Sequence, residues 1–139
     1  MPPQPKFVIF AHHATYDTLH QVATLGLTAA AMGKDVIVIL LFWTIKKLAE
    51  GRIDVIDFPP EYASSADEVS RLLKEKKVPK ISEMFQDAKH IGSFRLIACS
   101  AGLEYMGVDS AVVEKNVDEV MGLPAIIALT SDAETKLFI

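Results

Sequence analysis

A chain of 139 residues, 50% apolar and 23% charged with a net charge of −4, describes one globular domain, 1–139. Its acidic and basic residues are interspersed without a basic block, which excludes nucleic acid as the main partner. The longest apolar run, Val36 to Trp43, falls far short of the roughly 20 residues that span a bilayer, and the leader Met1–Lys6 lacks the apolar core of a secretion signal. Cys99 is the single cysteine, so no intrachain disulfide can form, and a cytoplasmic protein without a membrane span is expected.

Phe7 to Ala11 is a continuous apolar run that reads as a strand buried on both faces. The polar stretch His12-His13-Ala14-Thr15 follows, with Thr15 as the N-cap of a helix whose pattern runs from Leu19 to Met32 and stops at Gly33. That helix is rich in small residues and apolar over most of its circumference. It therefore packs on two sides, against the sheet and either another helix or a second subunit. Asp35 to Leu41 is a second buried strand, followed by Phe42-Trp43-Thr44-Ile45 and a short helix, Lys46 to Gly51. Residues 52–64 carry no clean period, and the Pro59-Pro60 pair forbids regular helix.

Ser65-Ala66-Asp67-Glu68 has the spacing of a capping box, opening an amphipathic helix to about Lys76 that buries Val69, Leu72 and Leu73. A further helix after Pro79 spaces Ile81, Met84, Phe85, Ala88 and Ile91 on one side and ends at Gly92. Phe94 to Ala98 is a third strand, leading into Cys99 and the small-residue turn Ser100-Ala101-Gly102. Helical pieces are expected at Leu103–Met106 and Ala111–Val120, a fourth strand at Pro124–Leu129 and a fifth at Thr135–Ile139. Alternating strands and helices predict an α/β fold: a doubly wound, mostly parallel five-stranded sheet with helices on both faces.

Right-handed crossovers then suggest a reversal of strand order between the first strand and the Cys99 strand. That reversal would open a crevice facing His12, His13, Cys99 and Ser100, with Trp43 as a wall. Cys99, at the carboxyl end of a strand with a helix just beyond, is the first chemical candidate, as a nucleophile or group carrier. His12 and His13, pointing to opposite sides of an extended chain, offer one imidazole to steady a Cys99 thiolate. Packed or solvated histidines and an inert core cysteine are the competing readings.

No metal is expected, since His20 and His90 lie on helices without ligand spacing. No cofactor is expected either: the phosphate-binding glycine patterns are absent, as are C-x-x-C and G-x-S-x-G. Asp109, Glu114, Asp118 and Glu119 read as a solvated helix face.

The segment from Phe94, "FRLIACSAGLEYMG", and the ending "VMGLPAIIALTSDAETKLFI" resemble the DsrE/DsrF/TusD-like sulfur-relay family, closest to its single-domain, peroxiredoxin-like branch. The first strand, the small-residue helix and "LLFW" after strand two agree with it. The resemblance implies a flavodoxin-like fold and a homo-oligomer, commonly a trimer or hexamer. It also implies a sulfane-sulfur role for Cys99, accepting and donating sulfur as a persulfide between thiol donor and acceptor proteins. Two other functions remain open: a scaffold subunit of such a relay with Cys99 merely packed, and a small-ligand module using the His12/His13–Trp43 crevice.

Overall fold

The computed structural model describes residues 2–139. Five strands, β1 (Lys6–Ala11), β2 (Asp35–Leu40), β3 (Ser93–Cys99), β4 (Glu119–Met121) and β5 (Thr135–Phe138), form one sheet in the order β4-β3-β2-β1-β5. Every pairing is parallel. The helices are α1 (Tyr16–Ala31), α2 (Trp43–Ala49), α3 (Ala66–Glu75), α4 (Ile81–Ile91), α5 (Ser100–Tyr105), α6 (Ser110–Val113) and α7 (Leu123–Thr130), with a 3₁₀ segment at Pro60–Ser65. The chain steps from β1 to β4 in one direction, then crosses to the far side of β1 for β5. With right-handed crossovers this places α1–α6 over one face and α7 alone over the other. The result is a doubly wound, flavodoxin-like α/β fold.

The sheet has a core on each face. On the first, Ile9, Val36, Val38, Leu96 and Ala98 pack with Leu19, Val22 and Ala23 of α1, Met84, Phe85 and Ala88 of α4, and Ile45 of α2. On the second, Val8, Ile37, Ile39, Ile97 and Cys99 lie under Ile126 of α7. The small residues of α1 allow close approach on two sides. A Cβ on Gly26 would come 2.8 Å from the Phe94 ring, and one on Gly92, at the α4–β3 junction, 2.6 Å from the carbonyl oxygen of Ala30. The second partner of α1 is therefore α4, one of the two alternatives its composition left open.

Several expectations are corrected. Pro124–Leu129 is not a strand but the body of α7. A run of six apolar residues fits a short buried helix as well as a strand, and proline is welcome in a first turn. The fourth strand is instead Glu119–Met121, overlapping the end of the expected helix 111–120, where helix is confined to Ser110–Val113. No capping box forms at Ser65, whose side chain makes no cap hydrogen bond. Its reciprocal half is found at Lys80, whose amide donates to Glu83 Oε2 at 3.1 Å. Leu72 and Leu73 are only half-buried, because α3 rides over the surface. Thr15 caps α1 by position alone; its hydroxyl meets that of Thr18 at 3.1 Å. The reversal between β1 and β3 is absent, since β2 pairs with both.

Candidate functional site

Residues following β1 and β2 meet at the carboxyl edge of the sheet. Ala11 and Leu40 end these strands in register, and Thr44 ties the two exits together. Its fully buried hydroxyl donates to the Ala11 carbonyl at 2.8 Å and accepts from the Leu41 amide at 3.0 Å. The turn Leu41-Phe42-Trp43-Thr44 is sharp: Phe42 holds φ 47°, ψ −108°, a conformation that an L side chain rarely adopts. Such strain persists where the surroundings over-determine it, here the Thr44 hydroxyl, which accepts from Leu41 while donating to Ala11. The turn leaves Trp43 55% exposed on the rim.

Beside Trp43 lies a cleft of about 580 Å³, in the size range of small-molecule sites. Its lining includes His13, Thr15, Thr18, Pro59 and Pro60. An ion-pair chain joins most of the charged residues of that lining. Lys47, only 5% exposed, bonds Asp57 Oδ1 at 2.8 Å and the carbonyls of Ala14 and Val55 at 2.8 and 3.3 Å. Arg52 reaches Glu50 at 3.1 Å and Asp57 at 3.9 Å, and Lys46 reaches Glu50 at 3.5 Å. The hydrogen bond from Arg52, against partial desolvation and with help from the charge of Lys46, holds the Glu50 carboxyl below its ordinary range. Asp57 also accepts the Tyr16 amide at 2.8 Å, pinning the 52–64 segment to the start of α1. Asp54 pins the same segment to α4, accepting the amide of Ser82 at 2.9 Å and its hydroxyl at 2.5 Å.

The sequence candidates divide into two groups. His13 and Trp43 line the cleft together. His12 is half-buried beside it, its ring 4.1 Å from that of His13, and its amide donates to Ile139. The two imidazoles are therefore neighbours rather than residents of opposite faces. Cys99 and Ser100 sit elsewhere. With β2 intervening, Cys99 is two strand spacings from β1, roughly 9.5 Å, and its thiol belongs to the opposite core. Cys99 is 2% exposed and belongs to the aliphatic cluster of the second face, so the expected open thiol is not found. Ser100, next along, is exposed.

Cys99 does stand at a divergence of strands, though not the expected one. Its register partner on β4 is Met121; the chain leaves β3 into α5 on one face and β4 into α7 on the other. There Gly122 and Ser100 are neighbours: a Cβ on Gly122 would lie in ordinary contact, 3.7 Å from Ser100 Oγ. Lys46, Lys47, Arg52 and Asp57 escaped sequence reasoning because the 52–64 segment has no period. The only hints were a long aperiodic connection and the diproline. Among the described residues no group of three His, Cys, Asp or Glu side chains is placed to hold a metal ion. No described helix is long and apolar enough to cross a membrane.

No protein-family model matches this chain, and no curated protein does. Among solved structures it is similar to a conserved protein of unknown function, BT1422, from Bacteroides thetaiotaomicron. The two align with a TM-score of 0.60 at 17% identity, over 97% of this chain and 95% of the other. A likeness at that identity carries the fold alone. The sulfur-relay resemblance accordingly rests on its sequence segments.

Proposed function

We propose that the chain is a small-ligand-binding α/β domain whose site is the Trp43–His13 cleft, with Cys99 a core residue. The observation that carries this reading is the juxtaposition of an exposed indole, a diproline wall and a prepaid set of ion pairs around one cleft. Trp43, Pro59 and Pro60 offer apolar surface to a planar ring. Lys46, Lys47 and Arg52 are already matched by Glu50 and Asp57, so the lining offers hydrogen bonds without a large net charge. His13 and Glu61 line the cleft outside that network and offer it polar groups. The ligand class is a neutral or zwitterionic heteroaromatic molecule of nucleoside or flavin size.

Trp43 is the only tryptophan, so its emission reports on the site alone. Adenosine and riboflavin, titrated by calorimetry and by thermal unfolding, are the first probes. A ligand at a hundred times its Kd stabilises the fold by about 2.7 kcal/mol. Trp43→Ala and His13→Ala should each reduce that gain. A gain that survives both substitutions, or no gain from either probe at millimolar concentration, refutes the assignment.

A second reading is sulfur relay through Cys99, favoured by the position of that residue where β3 and β4 send the chain to opposite faces. In it the Cys99 thiolate attacks the outer sulfur of a donor persulfide, the donor departs as a thiolate, and the new persulfide passes its outer sulfur to an acceptor thiol. The start of α7, Gly122–Leu123, would have to swing aside to admit the donor. Incubation with inorganic polysulfide should then add the mass of one sulfur atom to the Cys99 peptide and nothing to Cys99→Ser. An unmodified wild-type chain discards this reading and leaves the first untouched.

A further inference from the structure

A second cavity, of about 340 Å³, borders the 52–64 segment and shares no lining residue with the Trp43 cleft. Ile56, Leu73, Val78 and Pro79 give it an apolar lining, and Tyr16, Asp54, Ser70, Lys74 and Lys80 a polar one. Tyr16 is only 6% exposed, its ring beside those of His20 and Phe58, yet its hydroxyl takes no hydrogen bond among the described residues. A buried phenol ordinarily finds a partner; this one lines an empty cavity instead. Burial, with the charge of Asp54 adding to it, keeps that phenol neutral and therefore a donor. Lys74 and Lys80 are exposed and make no ion pair among the described residues. The carboxylates nearest them in sequence are engaged elsewhere, Glu75 by Arg71 at 2.8 Å and Glu83 by the Lys80 amide at 3.1 Å. Asp54 is spent as well, one oxygen on the Ser82 amide and the other on its hydroxyl.

We propose that this cavity binds a small monocarboxylic acid with an apolar body, its carboxylate held by Lys74, Lys80 and the Tyr16 hydroxyl. Two unpaired ammoniums and an unused phenol are donors that call for one anionic group, and charge-assisted hydrogen bonds are the strong ones. Ile56, Leu73, Val78 and Pro79 call for hydrocarbon behind that group. The resident charge of Asp54 weighs against a second negative charge, so a monoanion fits where a phosphate dianion does not. The Trp43 cleft takes no part in this binding.

Titration of the ¹⁵N-labelled full chain, followed by its amide NMR signals at constant ionic strength, tests the proposal. Benzoate and hexanoate are the probes, benzamide is the uncharged counterpart, and inorganic phosphate is an anion without hydrocarbon. At least one of the two acids should shift the amides of Ser70, Leu73, Lys74 and Val78 saturably, within the millimolar range. Benzamide and phosphate should each bind at least about tenfold more weakly than that acid. Lys74→Gln with Lys80→Gln, at exposed positions, should together weaken it about tenfold. Tyr16→Phe removes a hydroxyl that bonds nothing in the free chain and should weaken it about three- to tenfold. Should Tyr16→Phe fail to fold, the double lysine variant carries the test. The proposal is overturned if neither acid gives saturable shifts at tens of millimolar, or if the shifts map away from this cavity. It is overturned equally if benzamide or phosphate binds as well as the acid, or if the acid's affinity survives the double lysine substitution or a folded Tyr16→Phe.

Discussion

Replacing Lys47 with methionine tests how the cleft is held together. The ammonium is 5% exposed and makes three bonds: to Asp57, to the Ala14 carbonyl beyond β1 and to the Val55 carbonyl in the 52–64 segment. Breaking a buried ion pair from one side costs about 3–5 kcal/mol. Asp57, however, is 37% exposed and keeps the Tyr16 amide, so water and that amide offset part of its loss. The methionine stem also preserves the apolar packing of the lysine. The expected loss is therefore about 2–3 kcal/mol, read as a fall in melting temperature of roughly 6–9 °C for a domain of this size. Urea unfolding of Lys47→Met, Asp57→Asn and the double variant supplies the assay. Their coupling energy should be about 1–2 kcal/mol, with the slope of the unfolding line unchanged. A loss under 0.5 kcal/mol for Lys47→Met, or no coupling, would show that the strap across α1 and α2 is held by something other than this lysine.

Three further outcomes follow from particular contacts. Native Cys99 should react with iodoacetamide at least about a hundredfold more slowly than in guanidinium, since a 2% exposed thiol waits for local opening; Cys99→Ser, which buries a hydroxyl among aliphatic side chains, should cost more than Cys99→Ala, by about 1 kcal/mol in urea unfolding. Fast native alkylation would restore the thiol as a chemical group. Gly92→Ala should lose about 1–3 kcal/mol, because the new methyl would sit 2.6 Å from a backbone oxygen of α1 that cannot turn away; an unchanged melting temperature would mean that α1 and α4 are not in contact there. Burial, with the charge of Asp54 adding to it, raises Tyr16 above its ordinary value of 10.0. The folded state thus keeps the phenol neutral after the unfolded chain begins to ionise, and stability should fall as pH rises past 10. Tyr16→Phe should flatten that slope, and an equal slope in the variant would point to another group.

Four of the five strands were legible: β1, β2 and β3 are short, largely apolar runs of β-rich composition, as buried parallel strands read, and the half-exposed edge strand β5 follows a clear turn at Ser131–Glu134. The fourth was not. Glu119-Val120-Met121 is too short to show alternation, while the neighbouring Pro124–Leu129 run carries the apolar density of a strand and the starting proline of a helix. Strand order was beyond the sequence too. Handedness fixes which face a crossover covers, not which neighbour the next strand selects, so the crevice expected between Cys99 and the histidines was placed one strand too narrow. His13 and Trp43 were paired correctly because they follow adjacent strands, and that pairing survives any order that keeps β1 beside β2. The buried Lys47 was invisible, since its partners come from segments with no period to align them.

Strand β5 has a consequence for how the polypeptide reaches its native state. Phe7 pairs with Thr135, so nearly the whole length of the chain must be looped before one flank of the first strand is satisfied. Until then that flank of β1 is a bare row of amides and carbonyls, ready to recruit any extended segment nearby. Assembly from β1 through β4 can proceed between sequence neighbours, whereas this last closure is the slow, long-range step. Nascent or truncated forms lacking residues 135–138 would carry β1 as an adhesive border along one side of an otherwise finished four-stranded sheet.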